Sequence, residues 1–469
     1  MIRMKPLPHL DDDLLQRYDR PGPRYTSYPA APRFHEGFGE AQLRRVIACS
    51  NEDPMPRDLS LYVHVPFCEN PCFYCGCNRI ITRDKRRGAH YLEMLDKEIE
   101  RIAPLFDADR HVVQLHFGGG TPNFLTPEQI GGLLDHLRRR FNFSKAEDRD
   151  ISIELDPRHV TPDDIAELAR LGFNRASLGI QDFDPAVQKA VNREQSPEDT
   201  LAVLRACRGH GMKSVNVDLI YGLPKQTLEG FSRTLDITLT ARPDRFAIYG
   251  YAHLPDVFRA QTRINAADLP DASLRIALLR LAIEKLTAAG YVHIGMDHFA
   301  LPEDELARAL ANGSLRRNFM GYTTHAQTDL VGLGVSAISH IGGSFSQNPR
   351  DLPAWEIALQ TSSALPIWRG HELDTDDLVR SDVIEQLMCT GEVDIREIEA
   401  DHGIVFDTYF ADALARLMPL MADDLVRIDF DAIRATGRGR LLLRHLAMCF
   451  DAYLHDGEKT LKARFSKAI

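Results

Sequence analysis

No stretch of the chain approaches the roughly 18 apolar residues that a membrane-spanning helix requires, and the sequence predicts no membrane span. The opening Met1-Ile-Arg-Met-Lys-Pro6 has no apolar signal core, so the expected location is cytoplasmic. A basic surplus is also missing. With 56 Lys and Arg against 67 Asp and Glu, the formal charge is -11. Phosphate-backbone affinity rests on a basic surface, so this balance excludes a general nucleic-acid binder, and an anionic ligand has to meet local arginines. Nor is there a disulfide framework. Cys49, Cys207, Cys389 and Cys449 stand alone in the sequence, which suits a reducing compartment, and they read as core residues. No internal repeat or low-complexity tract is present beyond a βα rhythm.

What is present is an ordinary globular mixture, 44% hydrophobic and 26% charged, in a chain long enough for a large core. The other four of eight cysteines fall inside ten residues, in Leu61-Tyr-Val-His-Val-Pro-Phe-Cys-Glu-Asn-Pro-Cys-Phe-Tyr-Cys-Gly-Cys77. Cys68, Cys72 and Cys75 follow a strand-like run with Cys-x3-Cys-x2-Cys spacing, so one compact loop can aim three thiolates at one site. Three thiolates can hold three irons of a cubane and leave the fourth open to a chelating ligand. Cys77 lies too close to Cys75 to reach a neighbouring corner easily. A closed four-cysteine zinc or iron-sulfur site is the alternative.

From 59 to 253, β-rich runs recur, each followed by a helical pattern: Leu59–Val65, Val112–Phe117, Ile151–Leu155, Arg175–Gly179, Ser214–Ile220 and Arg245–Tyr251. The predicted helices run over 91–102, 127–140, 162–171, 197–210 and 228–239. Six units are too few for a closed eight-fold barrel. The expected fold is α/β, a partial, open parallel β/α barrel of about six βα units with an N-terminal arm and a mainly helical C-terminal domain. The expected boundaries are 1–55 for the arm, 56–370 for the barrel with a mouth-covering elaboration, and 371–469 for the helical domain. Residues 317–339 read as glycine-rich loop, and the tail resembles a winged helix. The arm carries Arg20-Pro-Gly-Pro-Arg-Tyr-Thr-Ser-Tyr-Pro29. Either its tyrosines pack on the main domain, or Arg20, Arg24 or Arg33 reaches an anionic ligand.

Chemistry in such barrels gathers at the C-terminal ends of the strands. Cys68, Gly118, Glu154, Gln181, Asp218 and Ala252 lie within or just after six successive predicted strand ends. Gly118-Gly-Gly-Thr-Pro122 lets backbone approach a ligand closely. Glu154 and Asp218 sit on strands where an unpaired carboxylate is costly, so each needs a partner such as a ribose hydroxyl or an arginine; a structural ion pair is the alternative. Arg193, Arg316 and Arg317 are candidates for gripping carboxylates. Tyr62, His64 and Tyr251 alternate inward, either toward a ligand or as hydrogen-bonded core residues.

The Cys68-x3-Cys72-x2-Cys75 loop, with Tyr74 before its third cysteine, resembles the cluster loop of radical S-adenosylmethionine enzymes, and Gly118–Pro122 resembles their methionine-binding segment. Cys77, Pro23-Arg-Tyr-Thr-Ser-Tyr-Pro29, Asn192-Arg-Glu-Gln195, Tyr221-Gly-Leu-Pro-Lys-Gln226, Tyr251-Ala-His253 and Arg317-Asn-Phe319 narrow the resemblance to the oxygen-independent coproporphyrinogen III oxidases, over nearly the whole chain. The resemblance implies a 4Fe-4S cluster on Cys68, Cys72 and Cys75, and S-adenosylmethionine at Tyr62, Gly119, Glu154 and Ile338. It implies a second such molecule at Tyr74, Gly120, Thr121, Gln181, Arg193, Asp218 and Ala252. His64, Cys77 and Phe319 match positions needed for activity. After Phe319 the family pattern has glutamine, where this chain has Met320; its Phe73-Tyr74 order is also exchanged. The implied partners are coproporphyrinogen III, an electron donor such as flavodoxin or ferredoxin, and a final electron acceptor, with the chain a monomer. Rival readings are a haem-carrying homologue, another radical enzyme on the same core, and an electron-transfer or zinc protein. The arm and Cys77 disfavour the haem-carrying homologue, which typically lacks both.

Overall fold

The computed structural model describes Leu14, residues 17–325 and residues 327–455. Residues 1–6, read above for a signal core, lie outside them, as do the outer ends of the expected arm and C-terminal domain.

Six parallel strands form the centre: β1 (Asp58–Val65), β2 (His111–Gly119), β3 (Asp150–Leu155), β4 (Arg175–Gln181), β5 (Ser214–Tyr221) and β6 (Arg245–Gly250). They pair in chain order, each with the next. The crossover helices are α1 (Arg86–Ile102), α2 (Pro127–Arg140), α3 (Pro162–Arg170), α4 (Pro197–Gly209) and α5 (Leu228–Thr240). Three of them open on Thr126-Pro, Thr161-Pro and Ser196-Pro. The hydroxyl accepts an otherwise orphaned backbone N–H, and the proline sits where no N–H is needed. Strand alternation sends Leu115 and Phe117, or Val215, Val217 and Leu219, into the core beneath these helices. The intervening Gln114 and His116, or Asn216 and Asp218, then face the barrel interior.

Residues 317–339 are not the expected loop. They contain a hairpin, Arg316–Asn318 with Gly321–Thr323, and most of two strands of the main sheet. Downstream of β6, the sheet strands are β7 (Val292–Gly295), β8 (His298–Ala300) and β9 (Thr328–Leu333). β9 runs parallel to β1, a seventh parallel strand, while at the other edge β8 pairs antiparallel with β6 and β7 antiparallel with β8. Glycine within β9 has a packing reason: a Cβ on Gly332 would lie 2.4 Å from the Ile338 carbonyl oxygen. Strands Ile338–Ile341, Ser344–Gln347 and Arg369–Glu372 continue antiparallel beyond β9.

After helix Thr375–Thr390 the order is strand Glu392–Asp394, helices Ile395–His402, Phe406–Tyr409 and Ala411–Ala422, then strands Val426–Ile428 and Ala432–Ala435. The last strand lies between the other two, which is a winged-helix order. This region has its own core, including Leu387, Phe406, Phe410, Leu417 and Phe450.

The arm's tyrosines enter that second core. Tyr18, Tyr25 and Tyr28 are buried there, with the Tyr25 hydroxyl donating to Asp451 at 2.8 Å. Helix Glu40–Asn51, by contrast, packs Leu43, Val46 and Ile47 on the barrel core. Cys207, Cys389 and Cys449 are buried as expected, but Cys49 is exposed, because it falls on the outer side of that short helix. No helix among the described residues is long and apolar enough to cross a membrane.

Candidate active site

The cysteine loop leaves β1 at the mouth of the barrel. Its backbone is pinned by Arg79, which donates to the carbonyls of Cys72 at 3.1 Å and Cys75 at 3.4 Å. Cys68 and Cys72 are buried and Cys75 partly so. Burial pushes the Cys68 thiol up to about 11 against a hydrogen bond with Thr121 at 3.2 Å, so its thiolate needs a cation to hold it. Cys72 accepts from Arg193 at 3.4 Å and Arg158 at 3.6 Å. The Cys77 thiol, bonded to the Cys75 sulfur, holds Cys75 down at about 6 while its own proton is retained far above the ordinary thiol range. Three neighbouring cysteine sulfurs with a protonated fourth beside them fit a cluster held by three cysteines. A cubane seats each thiolate on its own iron, so it does not need three sulfurs to converge on one ion; among the described residues, no three His, Cys, Asp or Glu groups do.

A cavity of about 550 Å³ opens beside this loop. It gathers Tyr62, His64, Cys77, Gly119, Glu154, Phe319, Met320 and Ile338, eight of the residues singled out by sequence. His64 Nε2 lies 3.0 Å from the Asn78 carbonyl and Nδ1 lies 3.1 Å from the Tyr62 hydroxyl. A carbonyl only accepts, so Nε2 carries the proton and Nδ1 accepts from Tyr62. Burial lowers the His64 pKa, which keeps the ring neutral. Gly119 adopts φ +111°, and a Cβ there would lie 2.5 Å from the His64 ring. At Gly120 a Cβ would lie 2.8 Å from the Pro66 backbone. Only glycine lets this turn pass beneath the cavity, which suits a backbone cradle for a ligand.

Glu154 accepts from the Gly119 N–H at 3.2 Å and pairs with His116 at 3.4 Å, with 44% of its side chain open to the cavity. Burial raises its pKa, but His116 and the Gly119 N–H outweigh that and leave the carboxylate below its ordinary value. His116 also stacks on Tyr62, centroids 5.9 Å apart. Sequence reasoning missed it, although the β2 alternation puts Gln114, His116 and Gly118 on one face.

A smaller cavity of about 180 Å³ lies deeper in the barrel and shares His116, Glu154 and Met320 with the first. Met320 sits in the turn of the 316–323 hairpin, its N–H bonded to the Asn318 side chain at 2.8 Å, and so forms part of the wall between the two. Asp218 faces the inner cavity, accepting from Asn216 at 2.9 Å and Ser177 at 3.3 Å. Burial and the Glu154 charge push it up to about 7.

The other sequence candidates surround the loop from outside these cavities. Arg193 is buried, pairing with Asp156 at 3.3 Å and donating to the Gly179 carbonyl at 2.5 Å. Gln181 ends β4 with φ +69° at a register shift. The Gly120 and Thr121 N–H groups donate to the Val65 and Phe67 carbonyls at 2.8 and 2.9 Å. Gln261, which the sequence reading overlooked, ties Tyr74 to Ala252 by donating to both carbonyls, at 3.0 and 3.1 Å. Tyr251 bonds His253 at 2.8 Å in a separate apolar cluster and does not reach the large cavity.

Three of the arginines considered for an anionic ligand bind the chain itself. Arg317 donates to the Arg24 and Tyr25 carbonyls, Arg24 pairs with Asp297, and Arg33 donates to the Tyr453 carbonyl at 2.6 Å. They fasten the arm. It reaches the cavity through Ala31 and Pro32 instead. Also unforeseen are Tyr91, whose hydroxyl donates to the His64 carbonyl at 2.6 Å and accepts from Val335 at 3.1 Å, and Glu98, which receives Gly334, Asn348 and Trp355. Together they anchor the wall that ends at Ile338.

Comparison with known proteins agrees with this architecture. Residues 62–237 match the Radical SAM superfamily and residues 373–442 match the HemN C-terminal domain. The oxygen-independent coproporphyrinogen III oxidase of Pseudomonas aeruginosa is 49% identical, covering 98% of each chain. That of Escherichia coli K12 is 47% identical, covering 97% of this chain and 98% of its own. A solved structure of the Escherichia coli coproporphyrinogen III oxidase HemN, described as a radical SAM enzyme, superposes with TM-score 0.90 at 46% identity, over 95% of this chain and 99% of that one. The chain therefore belongs to the oxygen-independent coproporphyrinogen III oxidase family, within the radical S-adenosylmethionine superfamily.

Proposed function

We propose that the large cavity is where this radical S-adenosylmethionine oxidoreductase converts two propionates of coproporphyrinogen III to vinyl groups, yielding protoporphyrinogen IX for haem biosynthesis. The observation that carries the reading is the cavity itself: it places Tyr62, His64, Cys77, Glu154, Phe319 and Ile338 around one space beside the three-cysteine loop. Cys68, Cys72 and Cys75 would hold three irons of a 4Fe-4S cluster. Cluster and S-adenosylmethionine together supply one-electron reduction and a hydrogen-abstracting carbon radical.

The chain's residues bind, orient and shield. Gly119 gives a ligand close backbone approach, and Glu154, held ionised by His116, can accept hydrogen bonds from a ribose. Ile338, Phe319 and Leu330 offer an apolar wall to a macrocycle and limit water. His64 is neutral and anchored at both nitrogens, so it presents a fixed ring face rather than a charge. Cys77 keeps its proton and points into the same space, placed to donate a hydrogen bond or a proton rather than bind iron.

A second S-adenosylmethionine would meet Tyr74, Gly120, Thr121, Gln181, Arg193, Asp218 and Ala252. Supporting this, the buried Asn216 Oδ1 beside Asp218 has no hydrogen-bond partner among the described residues, leaving an acceptor for a ligand hydroxyl. A one-electron carrier such as flavodoxin or ferredoxin would reduce the cluster of a monomeric enzyme.

The test is anaerobic reconstitution with iron and sulfide, followed by reductant, S-adenosylmethionine and coproporphyrinogen III, with product mass and 5'-deoxyadenosine followed together. Loss of two carbon dioxides per porphyrinogen is expected. Deoxyadenosine formed without decarboxylation would sink the substrate assignment.

A further inference from the structure

The large cavity has one charged feature that the reaction chemistry does not use. Arg350 and Arg369 both line it. Among the described residues no carboxylate forms an ion pair with either of them. Arg369 is held in place: its Nε donates to the Gln347 side chain at 2.8 Å, and its guanidinium lies over the Trp368 ring at 4.4 Å and the Phe34 ring at 5.8 Å. Burial and the neighbouring Arg350 charge both lower its pKa. Glu36, whose charge acts against this lowering, is engaged by the Trp368 indole N–H at 2.9 Å.

Arg350 is tied to the reacting end of the cavity through its backbone. The Asn78 side chain donates to the Arg350 carbonyl at 3.0 Å, and the Asn78 carbonyl accepts from His64. On the other side, Ser336, two residues before Ile338, donates its N–H to the Pro349 carbonyl at 2.8 Å. The arginines thus stand at a fixed place relative to His64, Cys77 and Ile338. The same cavity is also lined by Ala31, Pro32, Phe319 and Leu330, which are apolar.

Arg350 is exposed and Arg369 partly buried; neither has an ion-pair partner among the described residues, so the two like charges on one cavity wall repel each other and together attract an anion. Guanidinium forks match carboxylates in a planar, two-point fashion. Resting on the functional reading above, we infer that Arg350 and Arg369 bind propionate carboxylates of the porphyrinogen other than the one being converted. An apolar macrocycle would lie along Phe319 and Leu330, with its anionic edge at the arginines and its reacting propionate toward His64 and Cys77. Gripping one edge fixes which propionate reaches the reacting end, so the pair would determine orientation as well as affinity.

The test uses coproporphyrin III, a stable tetracarboxylate, and its uncharged tetramethyl ester, with binding to the reconstituted holoenzyme followed by fluorescence quenching. Arg350→Met and Arg369→Met keep the apolar stem and remove the charge. Each should weaken binding of the acid by about tenfold or more, and the double variant by more than about a hundredfold. Ester binding should change by less than about twofold, and Arg→Lys variants should recover part of the acid affinity. Unchanged acid affinity in the double variant would overturn the assignment. So would equal losses for acid and ester, which would mean the arginines only shape the wall. Iron content and thermal unfolding report whether each variant folds. If the wild type binds the acid in preference to the ester yet does not decarboxylate the porphyrinogen, the functional reading fails while the arginine assignment stands.

Discussion

The two cavities of the barrel share His116, Glu154 and Met320 in their walls, yet their arginines are satisfied in opposite ways. In the inner one the protein neutralises itself. Arg175 pairs with Asp150 at 2.5 Å and Glu305 at 2.6 Å, and Arg245 pairs with Glu305 at 2.7 Å and Asp304 at 2.9 Å. All these groups lie near strand starts or at the start of helix Glu305–Asn312, the end of a parallel barrel that serves stability rather than chemistry. In the outer cavity, at the strand ends, Arg350, Arg369 and the open part of Glu154 are left for something else to satisfy. Matched charge at the strand starts supports the barrel, whereas toward the strand ends unmatched polar groups face the ligand side.

The sharpest way to break this comparison is at the cysteine loop. Cys72→Ser should abolish bound iron and acid-labile sulfide after reconstitution, whereas Cys77→Ser should retain most of both, because Cys77 keeps its proton. Equal loss in the two variants would make Cys77 a ligand.

A smaller effect is expected from the inner cavity. Glu305→Gln leaves Arg175 and Arg245 with one partner fewer each, and breaking buried pairs costs about 3 kcal/mol. Denaturant unfolding should show that loss while affinity for the tetracarboxylate porphyrin changes little. A large loss of porphyrin affinity at full stability would place the porphyrin in the inner cavity and erase the distinction drawn above.

A further test concerns Asp218, which faces the inner cavity. It holds its proton up to about 7 in the folded protein, whereas an unfolded aspartate releases it near about 4. Between those values the native state binds more protons, so stability falls as pH rises through that window and is level above it. Asp218→Asn should remove this fall. Parallel pH profiles of thermal unfolding for the two proteins would contradict the assigned protonation.

Much of this arrangement was legible in the sequence because it is locally encoded. The six βα units announced themselves by period and by Ser/Thr-Pro caps, and α2 spans Pro127–Arg140 as predicted. The cysteine spacing and Gly118–Gly120 needed no tertiary information either. What escaped depends on distant partners. β9 looked like loop because Gly332 and Gly334 break its pattern, and only packing against Ile338 and Tyr91 explains them. The arm's tyrosines give no hint that their pocket is built around 425 residues later, at Asp451 and Ala452. Arg350 and Arg369 are ordinary surface-type residues in sequence, and only the sheet extension beyond β9 brings them to the cavity.

The central claim is that the outer cavity holds a propionate side chain beside the three-cysteine loop. Coproporphyrinogen III deuterated at the propionate β-carbons tests it most directly, with the 5'-deoxyadenosine formed in a single anaerobic turnover analysed by mass. Deuterium carried into 5'-deoxyadenosine, in step with carbon dioxide release, is the predicted result. Substrate consumption with unlabelled deoxyadenosine would contradict it.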